Sequence, residues 1–279
     1  MKIALCNEVL RDMEFSAQCD YAAALGYDGL EIAPFTLGEL PHFLNSQERA
    51  HLRRAAANAG IQITGLHYLL ITPKGLSINV RDTSVRERTV DVLRRLIGLC
   101  ADLGGQVLVH GSPAQRQVPA GDDLVAAWPR ARETFVEIAK DAEAAKVRYC
   151  IEPLARQQTN FINTVAEAVQ LVQAIGSPAV RTMIDTSAAT VTETLPLPAL
   201  LDRWLPTGMI GHMHVNDSNR GGPGQGKDPF APVFAALVRH QYAGVVSVEP
   251  FDYVPNGPGC AARAIGCIRG ILEALGLPK

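Results

Sequence analysis

The feature that most constrains the fold of this 279-residue chain is an alternation that repeats eight times without a break. Short β-rich runs are expected at Lys2–Asn7, Asp28–Ala33, Ile61–Leu66, Gln106–Val109, Val147–Ile151, Val180–Ile184, the apolar opening of Ile210–Arg220, and Gly244–Val248. Between and after them come helical stretches: Met13–Leu25, Ser46–Ala59, Val85–Leu103, Leu124–Ala145, Val165–Ile175, Pro198–Trp204, Pro229–Arg239 and Cys260–Leu275. Val90, Leu93, Leu96, Ile97 and Cys100 repeat at helical spacing, and Gly26 and Gly60 stand where helices stop. Strands alternating with helices build a parallel sheet. Eight such units in this length predict a single-domain (β/α)8 TIM barrel over residues 1–279. An open doubly wound sheet would call for a glycine-rich turn after the first strand, and LCNEVLRD has no glycine.

Composition narrows the function. Apolar residues make up 47% of the chain, enough for a large core, and the net charge of −2 gives no reason to expect nucleic acid. No apolar run approaches the roughly 18 residues of a membrane helix, and the N-terminus lacks a signal-peptide pattern. The six cysteines are scattered, with no CxxC pair, and read as reduced thiols of a cytoplasmic protein.

In a barrel of this kind chemistry collects at the C-terminal ends of the strands. The sequence places Glu31, His67, His110, Glu152, Asp185, His214 and Glu249 there. In the seventh strand His212 and His214 share one face, because residues two apart on a strand point the same way. Three carboxylates in one mouth repel one another unless a cation lies between them. Carboxylate oxygens with one imidazole suit Mn²⁺, Mg²⁺ or Co²⁺, whereas zinc takes more nitrogen or sulfur.

The motifs IEP (Ile151–Pro153), IDT (Ile184–Thr186), GHMHVNDSNR (Gly211–Arg220), GPGQG (Gly222–Gly226) and SVEPF (Ser247–Phe251) occur in that order. Together the chain resembles the xylose isomerase-like sugar phosphate isomerase/epimerase family, nearest its D-tagatose/D-psicose 3-epimerase branch. The resemblance implies one divalent metal ion, manganese before magnesium or cobalt, held by Glu152, Asp185, His214 and Glu249. It makes Glu152 and Glu249 the two proton carriers and Arg220 a substrate contact, with His212 a layer deeper. His67, His110, Glu31 and Gln158 are expected as substrate contacts or pocket walls, and Arg156 as a side chain in reach of the mouth. GPGQG reads as a close-packed turn over the site, and His42, His51 and His240 as surface residues. The chain departs from the epimerases at Ala188 and Gln158, where they carry His and Glu.

The chemistry that follows is proton abstraction next to a sugar carbonyl through an enediolate stabilised by the ion, giving an epimer or an aldose–ketose isomer. A lyase on the same frame, expelling a β-hydroxyl or cleaving a C-glycoside, is the alternative. An endonuclease IV-like nuclease would need further ligands, one of them at the Ala188 position. A non-catalytic sugar-binding protein would not need four intact ligands. The expected partner is a small sugar or sugar-like molecule, with no nucleic acid and no membrane, and analogy suggests a homodimer or homotetramer.

Overall fold

The computed structural model describes residues 1–277. Eight parallel strands close into a barrel in sequence order: β1 Lys2–Cys6, β2 Gly29–Ile32, β3 Gln62–Leu66, β4 Val107–His110, β5 Arg148–Ile151, β6 Val180–Asp185, β7 Ile210–Val215 and β8 Val245–Val248. β1 pairs with both β2 and β8, which closes the ring. The helices are α1 Phe15–Leu25, α2 Ser46–Asn58, α3 Thr83–Leu103, α4 Leu124–Ala145, α5 Val165–Ile175, α6 Thr186–Thr192, α7 Leu197–Trp204, α8 Phe230–Arg239 and α9 Gly257–Ala274. Among the described residues none is long and apolar enough to cross a membrane.

The (β/α)8 expectation therefore stands, with strand and helix bounds shifted by a few residues. One α-helix was not foreseen: α6 starts directly at the end of β6, with Asp185 as its cap. Cap chemistry explains other helix starts. Asn45 and Thr164 each form a reciprocal capping box with Glu48 and Glu167. Gly26, Gly104 and Gly176 end their helices in the left-handed conformation.

Strand alternation sorts the core. Ile3, Leu5, Leu30, Ile32, Met213, Val215, Val246 and Val248 join the large cluster between sheet and helices. Val107, Val109, Cys150 and Met183 form a separate cluster inside the barrel. Above this plug the inward residues are polar, and they build the site. All six cysteines are free, and five are buried.

The barrel is tight at Gly65. A Cβ there would lie 2.2 Å from the carbonyl oxygen of Val107 on the neighbouring strand, so a methyl group must push β3 and β4 apart. Gly65→Ala is expected to lower stability by about 3 kcal/mol, read from urea unfolding. An unchanged midpoint would show that the strands adapt freely.

Candidate metal centre and active site

Strand ends deliver the ligands. Parity along β5 puts Cys150 inside, so Glu152 two residues on also points inward. The same rule carries His212 to His214 and Ser247 to Glu249. The potential ligand atoms of Glu152, Asp185, His214 and Glu249 all lie within 4.8 Å of one another, and all four residues are buried.

Asp185 is held from one side. Its Oδ1 accepts the backbone N–H of Ala188 at 2.6 Å, while its buried Oδ2 has no hydrogen-bond partner among the described residues. Burial and then the Glu249 charge push the Asp185 pKa up to about 7. The same two causes, in the same order, raise Glu152 well above the ordinary carboxylate range. These are carboxylates short of positive charge. An orphaned carboxylate oxygen within reach of two further carboxylates and an imidazole fits a hard divalent cation.

His214 is oriented from beneath. Its Nε2 lies 3.1 Å from Glu31 Oε1, which leaves Nδ1, 2.9 Å from Glu249 Oε2, for the ion. Burial opposes a charge on His214, but Glu249 and Glu31 outweigh it and hold the pKa well above the usual value. Glu31 is itself buried. His212 and His214 overcome that desolvation and keep it well below the usual range. His212 Nε2 donates to Glu31 Oε2 at 2.8 Å, and Ser247 Oγ donates to the same oxygen. His212 thus lies one layer deeper, as the sequence suggested.

The mouth is a cavity of about 320 Å³ in which Glu152, Asp185 and Glu249 meet Tyr68, Gln158, Ala188, Arg220 and Phe251. Arg220 adopts a left-handed backbone (φ 71), and its carbonyl accepts N–H groups from Phe251 and Asp252 at 2.8 and 3.0 Å. That ties the β7 and β8 loops together. Its guanidinium stacks over Phe251 at 5.0 Å. Gln158 reaches the mouth, with its Oε1 accepting the Ala155 N–H at 3.1 Å.

Several expectations are corrected. His110 faces away from the mouth: Val107 and Val109 point inward, so parity turns His110 outward, where it packs edge-on against Phe135. Its Nδ1 lies 2.8 Å from the Tyr149 hydroxyl. Glu31 is not a mouth residue either, since it supports the two histidines from inside the barrel. His67 is fully buried behind Glu249, its Nε2 3.7 Å from Glu249 Oε1. Arg156 turns outward toward Glu167, 3.8 Å away. GPGQG is close-packed, but Gly222 and Gly224 lie against α9 rather than over the site. His42 is buried, not on the surface.

Two functional neighbours escaped the sequence reading. Glu8, just past β1, is buried with its Oε2 2.9 Å from His67 Nε2, an ion contact without hydrogen-bond geometry. Burial opposes a charge on His67, but Glu8, Glu249 and Glu31 together outweigh it and lift the pKa to about 9. Inward-facing Cys6 two residues earlier was the signal. Arg116, fully buried in the β4–α4 loop, donates to the carbonyls of Glu152 and His110 and so joins the ends of β5 and β4. Burial lowers its pKa to about 10. Arg116→Met would strip two buried carbonyls of a charged donor, and a loss of about 3 kcal/mol in urea unfolding is expected. A neutral outcome would mean that water replaces the guanidinium.

The sequence profile of the xylose isomerase-like TIM barrel family matches residues 19–271. The chain belongs to this family. A D-psicose 3-epimerase from Ruminiclostridium cellulolyticum is 30% identical over 86% of this chain and 79% of its own length. Among solved structures, a D-psicose 3-epimerase crystallised in the presence of D-fructose superposes with a TM-score of 0.84 at 23% identity, over 98% of this chain and 99% of the other. A 3-keto-D-glucoside 4-epimerase from E. coli gives 0.83 at 20% identity, over 97% and 99%. At these identities the two structures speak for the fold.

Proposed function

We propose that this family member is an isomerase, a divalent-metal-dependent epimerase or isomerase of small sugars. The observation that carries the reading is the buried convergence of Glu152, Asp185, His214 and Glu249 at the floor of an open mouth. The D-psicose 3-epimerase relative points to ketose-like substrates.

An ion held by these four residues would polarise the substrate carbonyl and stabilise the charge of the enediolate. Glu152 and Glu249 come from different strands, and each can carry a proton at the reacting carbon. One removes it and the other returns it from the opposite face, which inverts the centre. Arg220 holds substrate oxygens from the rim. Tyr68 and Phe251 supply flat apolar surface against the sugar's carbon face.

The test pairs metal analysis with chelation. Near one manganese per chain is expected, with epimerase activity lost on chelation and restored by Mn²⁺. Deuterium entering next to the carbonyl in D₂O marks the proton-transfer centre. Loss of water from the substrate in the same assay would instead identify a lyase. Several zinc ions per chain would overturn the reading.

A further inference from the structure

At the end of the barrel opposite the mouth, the starts of the strands enclose a second cavity of about 500 Å³. We propose that this foot cavity binds a phosphate group, free or carried on a small polyol. The proposal does not rest on the reading of the mouth.

Three cations converge on the cavity: Lys2 at the start of β1, Arg148 at the start of β5 and Arg53 on α2. Gln62, Gln106 and Thr64 add neutral hydrogen-bonding groups, and no Asp or Glu lines the space. Lys2 Nζ donates to Gln62 Oε1 at 2.7 Å and Arg148 donates to the Gly211 carbonyl at 3.0 Å. Neither they nor Arg53 forms an ion pair among the described residues, so no carboxylate neutralises the three charges. Like charges around one concave opening repel, and an anion relieves that repulsion. Two guanidiniums suit a phosphate better than a carboxylate, because one phosphate offers enough oxygens for both forks.

The inner wall carries a second, independent feature. His212 is 1% exposed, lines the cavity, and has no described partner at Nδ1. With Nε2 engaged by Glu31, Nδ1 is the ring nitrogen left to pair with a ligand hydroxyl. A hydrogen phosphate supplies one on the phosphate itself, and a polyol phosphate supplies one from its carbon chain. Cations at the rim and an imidazole inside therefore define a ligand with a charged end and a hydroxylic end.

The test is calorimetric titration of the full, metal-loaded chain with inorganic phosphate, sorbitol 6-phosphate and sorbitol. Both phosphates are expected to bind and sorbitol is not. Tighter binding of sorbitol 6-phosphate assigns the site to a polyol phosphate, and equal binding assigns it to the free ion. Arg148→Met and Arg53→Gln should each weaken binding about tenfold, the loss of one charged hydrogen bond, while Arg220→Gln in the mouth leaves it unchanged. Arg53 sits on an exposed helix surface, so its variant serves if Arg148→Met fails to fold. Absence of phosphate binding at millimolar concentration overturns the proposal. So does weakening by Arg220→Gln with the foot variants unaffected.

Discussion

Glu152→Gln and Glu249→Gln are each expected to lower kcat for epimerisation by about 10²- to 10⁴-fold, the range that a positioned proton carrier contributes. Glutamine keeps a carbonyl oxygen that can still face the ion. Metal content should therefore fall less than activity, and measuring it separates ligand loss from base loss. Solvent exchange makes the sharper distinction. If the two carboxylates serve opposite faces, each variant retains one competent base. Glu152→Gln should wash deuterium into one epimer only, Glu249→Gln into the other, each much faster than its residual interconversion of the two. Exchange into both epimers by either single variant would mean that one carboxylate works both faces. The two-carrier assignment would then be wrong even with the metal centre intact.

Why some of the site was legible and some was not comes down to parity on strands. The alternation of β and α was plain because helical and strand spacing differ so strongly in the sequence. Glu152, His214 and Glu249 converge because each lies an even number of residues from an inward neighbour: Cys150, His212 and Ser247. His110 was misplaced for one reason. β4 runs through His110 rather than ending at Val109, and with Val107 and Val109 inside, His110 has to turn out. A one-residue error in a strand reverses every side chain on it. Glu31 lies inside β2, as its expected strand Asp28–Ala33 already implied, so it belongs to the layer beneath the mouth. Glu8 fell outside the expected set although Cys6 predicts its direction. Arg116 had no periodic signal at all, since a loop residue is placed by its tertiary partners, here two carbonyls from two strands. Ala188 and Gln158 both line the mouth, so the departures from the epimerase pattern noted in the sequence fall in its wall.

Gly111→Ala is expected to cost activity far more than stability. Gly111 follows His110 at the top of β4 and lines the mouth. A Cβ built there would lie 1.9 Å from Glu152 Oε2, closer than any real contact, and 3.1 Å from its Cδ. The backbone at Gly111 is not in the left-handed region, so alanine brings no conformational strain of its own. Something must still give. The backbone around Gly111 is fixed by β4, and Glu152 is the flexible partner, so the carboxylate moves. A displacement on the order of 1 Å at a reacting group can cost about 10²-fold in rate. The same shift draws one ligand away from Asp185, His214 and Glu249. Gly111→Ala should therefore lower kcat about a hundredfold and weaken manganese binding, with a urea midpoint close to that of the parent chain. Gly65→Ala is the contrasting case, because there the obstacle is a backbone carbonyl that cannot swing aside and the loss falls on stability. Full activity in Gly111→Ala would show that Glu152 can act from a second position, and the bare hydrogen at residue 111 would then have no part in shaping the centre.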